Sequence, residues 1–89
     1  MNFYIEHLKK TISAINFYID CNNYEISVKK IRRFHKIKNS DKTATNFFWR
    51  NLKLLEQNNY ISFIRKNPII RYKLPKNKLD IEEIIKKLR

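Results

Sequence analysis

Ser40 to Asn59 reads SDKTATNFFWRNLKLLEQNN, and this stretch decides how the rest of the chain is read. Ala44, Phe48, Leu52 and Leu55 recur at spacings of four, four and three. On a helix those spacings put all four on one stripe. The opposite face carries Thr43, Asn46, Arg50 and Lys53, with Lys42 beside them. It is polar, rich in hydrogen-bond donors and free of acids. Ser40 or Asp41 is placed to cap the first turn, and Asn58-Asn59 to end the last, because Asn tolerates left-handed backbone. The pattern predicts a helix over 41–58 with one buried and one cationic face. A solvated basic face on an ordinary amphipathic helix would look the same, so the flanking chain has to decide.

Upstream, Ser27 can cap a helix over 27–36. Val28, Ile31 and Phe34 repeat every three residues and Ile37 closes the series, with Lys29, Lys30, Arg32, Arg33, Lys36 and Lys38 between and after them. Lys38-Asn39-Ser40 is then a compact turn, and two helices joined in this way form a helix-turn-helix pattern. Downstream, the period changes from 3.6 to 2. Tyr60–Arg65 and Ile69–Leu74 are β-rich runs separated by Lys66-Asn67-Pro68, which predicts a hairpin over 60–74. Arg65, Lys66, Arg71 and Lys73 make that hairpin basic, and Pro75 stops it.

The two ends are helical. Ile5, Leu8, Ile12, Ile15 and Ile19 follow a 3-4-3-4 spacing, which predicts a helix over 3–20 with Asn2 as its cap and Tyr4 on the edge of the stripe. Phe3, Ala14 and Phe17 fall on the other side, so this helix is expected to be buried on two faces, the second against another surface. Asn22-Asn23 ends it, and Tyr24-Glu25-Ile26 is a turn or a brief strand. At the far end Asp80 and Glu83 suggest a capping box and Leu79 a staple onto Ile84. Ile81, Ile84, Ile85 and Leu88 form the stripe of a helix over 80–88, and Lys86, Lys87 and Arg89 suit its C-terminal dipole. The apolar faces of the first and last helices predict a homodimer through them.

The chain has 89 residues, enough for a single domain with one modest core. Its net charge is +12. The whole excess lies in residues 26–76, where fourteen basic side chains face only Asp41 and Glu56. Charge concentrated on the segment with the strongest structural signal suits a surface that binds a polyanion. There is no glycine, and eleven asparagines are available for turn positions. No apolar run approaches the roughly 20 residues of a membrane span, and no signal peptide is recognisable. A soluble, cytoplasmic protein with no membrane partner is therefore expected. The single cysteine, Cys21, cannot form an internal disulfide.

The order of elements is helix, short strand, helix, turn, helix, hairpin, helix. From Ile26 to Leu74 it resembles the winged helix-turn-helix superfamily of DNA-binding domains, including small regulators of archaea and of their viruses and plasmids. The matching residues are Ile26-Ser27-Val28 entering the second helix, and Phe48, Leu52 and Leu55 under the third. Asn59-Tyr60-Ile61 stands where such proteins often have Gly-Leu-Ile leading into the wing, with Asn in place of Gly. The resemblance implies an α+β fold with a three-helix core, a two-stranded wing and a C-terminal helix. It implies that the third helix enters the major groove of double-stranded DNA, with Arg50 on guanine and Asn46 on adenine. Lys42, Thr43 and Lys53 would stand beside them. The wing, through Arg65, Lys66, Arg71 and Lys73, would touch phosphates or the minor groove. Lys29, Lys30 and Arg33 of the second helix would lie across the backbone.

Other chemistries find little support. His7 and His35 have no second ligand at metal spacing, so no metal or cofactor is expected. Without glycine there is no glycine-rich phosphate loop. The acids form no credible acid/base pair, and the chain is not read as an enzyme. Trp49, at the edge of the polar face, is expected to pack against neighbouring elements rather than stack on a base. The leading expectation is a sequence-specific DNA-binding protein acting as a transcriptional regulator. The alternatives are a non-specific DNA-binding structural or partition protein and an RNA-binding module. Membrane-surface binding through the short, basic second helix is weaker, because its apolar residues are needed for the core.

Overall fold

The computed structural model describes residues 3–64 and 69–88, with side chains from residue 5 onward. The predicted cap Asn2, the side chains of Phe3 and Tyr4, Arg65, Lys66, the Lys66-Asn67-Pro68 tip and Arg89 lie outside the described residues.

The chain runs α1 (Phe3–Asp20), β1 (Glu25–Ile26), α2 (Val28–Phe34), α3 (Lys42–Gln57), β2 (Ser62–Ile64), β3 (Arg71–Lys73) and α4 (Ile81–Leu88). This is a small α+β fold. The three strands form one antiparallel sheet in the order β1-β3-β2. Ile26 and Phe63 flank Tyr72 on the two sides of β3. The brief strand at 25–26 is thus the third member of the sheet, and β3 is its centre.

Helix starts follow their capping residues. The Ser27 hydroxyl accepts from the amide of Lys30, Asp41 from Ala44 and Asp80 from Glu83, each satisfying an amide that the helix leaves unpaired. The ends follow one pattern. Asn22, Lys36 and Asn59 have φ of 59°, 55° and 65°. In each case the next amide reaches back to a carbonyl five residues earlier: Asn23 to Tyr18, Ile37 to Arg32, Tyr60 to Leu55. These are Schellman ends, usually built on glycine. Here they are built without it, and the stop at Lys36 is why α2 is shorter than the predicted 27–36.

The core gathers apolar side chains from the four helices, β1 and β3. Leu8, Ile12, Ile15 and Ile19 of α1 meet Ile31 of α2, Phe48, Leu52 and Leu55 of α3, and Tyr72 beside β1. Burying a side chain of this size stabilises by roughly 1.5–3 kcal/mol. The stripe read from Ala44, Phe48, Leu52 and Leu55 is buried along its whole length. The terminal helices cover one another more than their apolar faces predict. Ala14 is fully buried inside its own chain, and Ile84 and Ile85 are buried too. α1 packs against α2, α3 and α4, so α4 supplies much of the second surface that α1 was expected to seek elsewhere. Phe17 stays 44% exposed, against Phe34. α4 is fastened by Asn16, whose Nδ2 donates to the Leu79 carbonyl at 2.9 Å and whose Oδ1 accepts from the Leu79 amide at 2.7 Å.

Candidate nucleic-acid interface

With its apolar stripe buried, α3 must turn the other face outward. Lys42, Thr43, Asn46, Arg50 and Lys53 are all exposed on it. Thr43, Asn46 and Arg50 surround a small cleft together with Phe47. The Phe47 ring lies flat on His7 of α1, centroids 4.6 Å apart and planes 16° apart. A half-buried aromatic ring is therefore held beside the two side chains best suited to bidentate base contacts. Periodicity does not single out Phe47, which falls between the buried and polar stripes of α3. Its signal was there as an aromatic flanked by Asn46 and Arg50.

The other edge of the face meets a larger cleft of about 460 Å³ between α2, α3 and the chain entering β3. Lys29 and Lys42 stand on it, joined by Arg32. Val28, Trp49, Ile69 and Ile70 supply its apolar side. Trp49 is half-buried against the core, as expected. Arg32 was not among the predicted contacts. It too is half-buried, and its Nε is buried without a hydrogen-bond partner among the described residues.

The remaining predicted contacts divide. Arg33 is exposed near the end of α2 and Lys73 is exposed on β3. Lys30 requires correction: its ammonium turns inward, donating to the Asn23 Oδ1 at 3.1 Å and the Glu25 carbonyl at 3.0 Å, and stands over the Tyr18 ring. Burial lowers its pKa below the usual lysine value, Glu25 acting against that shift and Arg71 with it. Lys30 ties α2 to β1 and the end of α1 and does not project outward as Lys29 does. Arg71 sits 3.7 Å from the Glu25 carboxylate and is half-exposed, so its charge is shared with β1. The geometry therefore joins Lys29, Lys42, Thr43, Asn46, Arg50 and Lys53 into one surface that includes Arg32 and Phe47. It sets apart Lys30, turned toward β1, and Arg71, on β3 beside Glu25.

Comparison with protein-family models, curated proteins and solved structures finds no match. The reading of this surface rests on its own chemistry. Among the described residues no group of His, Cys, Asp and Glu is placed to hold a metal, and no helix is long and apolar enough to cross a membrane.

Proposed function

We propose that the protein is a sequence-specific double-stranded DNA-binding protein of the winged helix-turn-helix kind, acting as a transcriptional regulator. α3 lies in the major groove, α2 crosses the backbone, and the β2–β3 arm is the wing. The observation that carries this reading is the outward face of α3. It holds three cations, an Asn and a Thr with no acid, on a helix whose opposite face is locked into the core. An element with one fixed and one donor-rich face presents its side chains in a set order, which base-edge readout requires. The order of elements agrees with that reading. Arg50 has the geometry to pair with guanine, Asn46 with adenine, and the Phe47 ring to meet a thymine methyl group. Lys29 and Lys53 serve the phosphates. The protein acts as a homodimer through α1 and α4, with two copies of α3 about one DNA turn apart.

Selection from a random duplex library, followed by binding of variants to selected and random DNA over a salt series, tests this. Arg50→Ala is expected to lose roughly 1–3 kcal/mol on the selected site and little on random DNA. Lys29→Ala is expected to weaken both and to flatten the salt dependence by about one counterion. If Arg50→Ala weakens both duplexes equally, α3 grips phosphates and the protein is a non-specific binder. Preference for folded RNA over duplex DNA would replace the DNA reading altogether.

A further inference from the structure

The cleft between α2, α3 and the chain entering β3 presents two kinds of wall. Lys29, Arg32 and Lys42 bring three positive charges to it, and no carboxylate is among its described lining residues. Arg32 is half-buried, and its Nε has no hydrogen-bond partner among the described residues. A guanidinium N–H withdrawn from water without an acceptor is unfavourable, and an anion of suitable size supplies one. Trp49, Ile69 and Ile70 form the other wall, with both isoleucines exposed to solvent. An inorganic anion would use the first wall and leave the second empty. A nucleic-acid backbone unit uses both, because its phosphodiester is anionic and the adjoining sugar presents an apolar face.

We propose that this cleft seats one sugar–phosphate unit of the DNA strand that crosses between α3 and the sheet. The phosphate rests on Arg32 between Lys29 and Lys42, and the sugar lies against Trp49 and Ile70. The proposal rests on the DNA-binding reading and deepens it. It assigns a backbone contact to Arg32, which the sequence pattern did not select, and it places Trp49, the only tryptophan in the chain, where it reports on the occupied cleft.

The test uses the full chain, with Arg32→Met, which keeps most of the apolar stem and removes the charge, and Arg32→Lys, which keeps the charge. Binding to a random duplex is measured between 50 and 200 mM salt, together with Trp49 emission and thermal melting without DNA. Duplex is expected to change the Trp49 emission of the parent. Arg32→Met is expected to bind more weakly, and its affinity to fall about 3-fold less across that salt range, the effect of one lost phosphate contact. Arg32→Lys is expected to restore the parent's salt dependence. Arg32→Met should melt no lower than the parent, because the Arg32 Nε makes no hydrogen bond among the described residues. A parental salt dependence in Arg32→Met, a silent Trp49, or a marked loss of melting temperature in that variant would overturn the proposal and leave DNA binding standing. Thymidine monophosphate is titrated in parallel. Saturation of the Trp49 signal at micromolar nucleotide, with displacement of duplex, would make the cleft a free-nucleotide site and overturn the strand seat. A parent that binds no duplex would overturn the functional reading and this inference together.

Discussion

At Asn51 the interior of the protein holds a polar side chain with no exposure to solvent. Its Nδ2 donates to the Thr11 hydroxyl at 3.2 Å, and that hydroxyl donates onward to the His7 carbonyl at 2.8 Å. Its Oδ1 is buried without a hydrogen-bond partner among the described residues. A half-satisfied amide loses hydration that its one hydrogen bond does not fully replace, by about 1–3 kcal/mol. Leu is close to Asn in shape, and the Thr11 hydroxyl keeps its bond to His7 after the exchange. Asn51→Leu is therefore expected to melt at or above the parent, by up to about 1 kcal/mol, read by thermal denaturation. A clear loss of stability would mean that Oδ1 has a partner, such as a bound water. Neighbouring positions show what a sequence makes legible. Leu52 and Phe48 were readable because a periodic apolar residue carries its own direction. The inward turn of Lys30 was not, because it depends on Asn23 and Glu25 arriving beside it from another element. Arg32 escaped for the same reason: its cleft exists only once residues 69–70 come alongside α2.

The helices differ more in how they stop than in how they start. All three Schellman ends use residues with a Cβ. At Asn22 and Asn59 the side chain suits left-handed backbone, and both stops were legible from Asn pairs in the sequence. Lys36 has no such preference, so its stop is not legible and α2 ends before the predicted residue 36. Left-handed backbone costs an ordinary residue roughly 1–2 kcal/mol. Lys36→Gly should recover part of this, the remainder being offset by the greater freedom of glycine in the unfolded chain. A gain of about 0.5–1 kcal/mol would raise the melting temperature by a few degrees in a domain of this size. Asn59→Gly, by the same argument, should change it less. Equal responses at the two positions would refute the distinction. The strands were legible as β-rich runs, but β1 was not legible as a partner of β3, since nothing in two residues announces a match forty-odd positions away.

The whole molecule measures 35 × 31 × 23 Å, so one copy covers about one turn of DNA, roughly 34 Å. Two copies are needed to read a site with two-fold symmetry. The surface left for the proposed dimer is smaller than the sequence implied, because Ala14, Ile84 and Ile85 are used within the chain. Phe17 is exposed, and Ile81 and Leu88 are half-buried. A contact this limited is expected to be weak in free solution and to form on DNA carrying two half-sites. Sedimentation at micromolar concentration should then find mainly the 11.0 kDa chain alone and two copies per duplex when such a site is present. One copy per duplex at every concentration would end the dimer reading.

The Asn16–Leu79 clasp also bears on how the chain is made. Asn16 emerges from the ribosome 63 residues ahead of its partner. At a few to about twenty residues per second, α1 waits several seconds for the helix that covers it. Until then the side of α1 that packs on α4 is open to other hydrophobic chains. β1 waits as well, since β3 emerges only shortly before the clasp can close. The fold therefore completes late and nearly all at once. Its most vulnerable moment in the cell is the interval before Leu79 and α4 arrive.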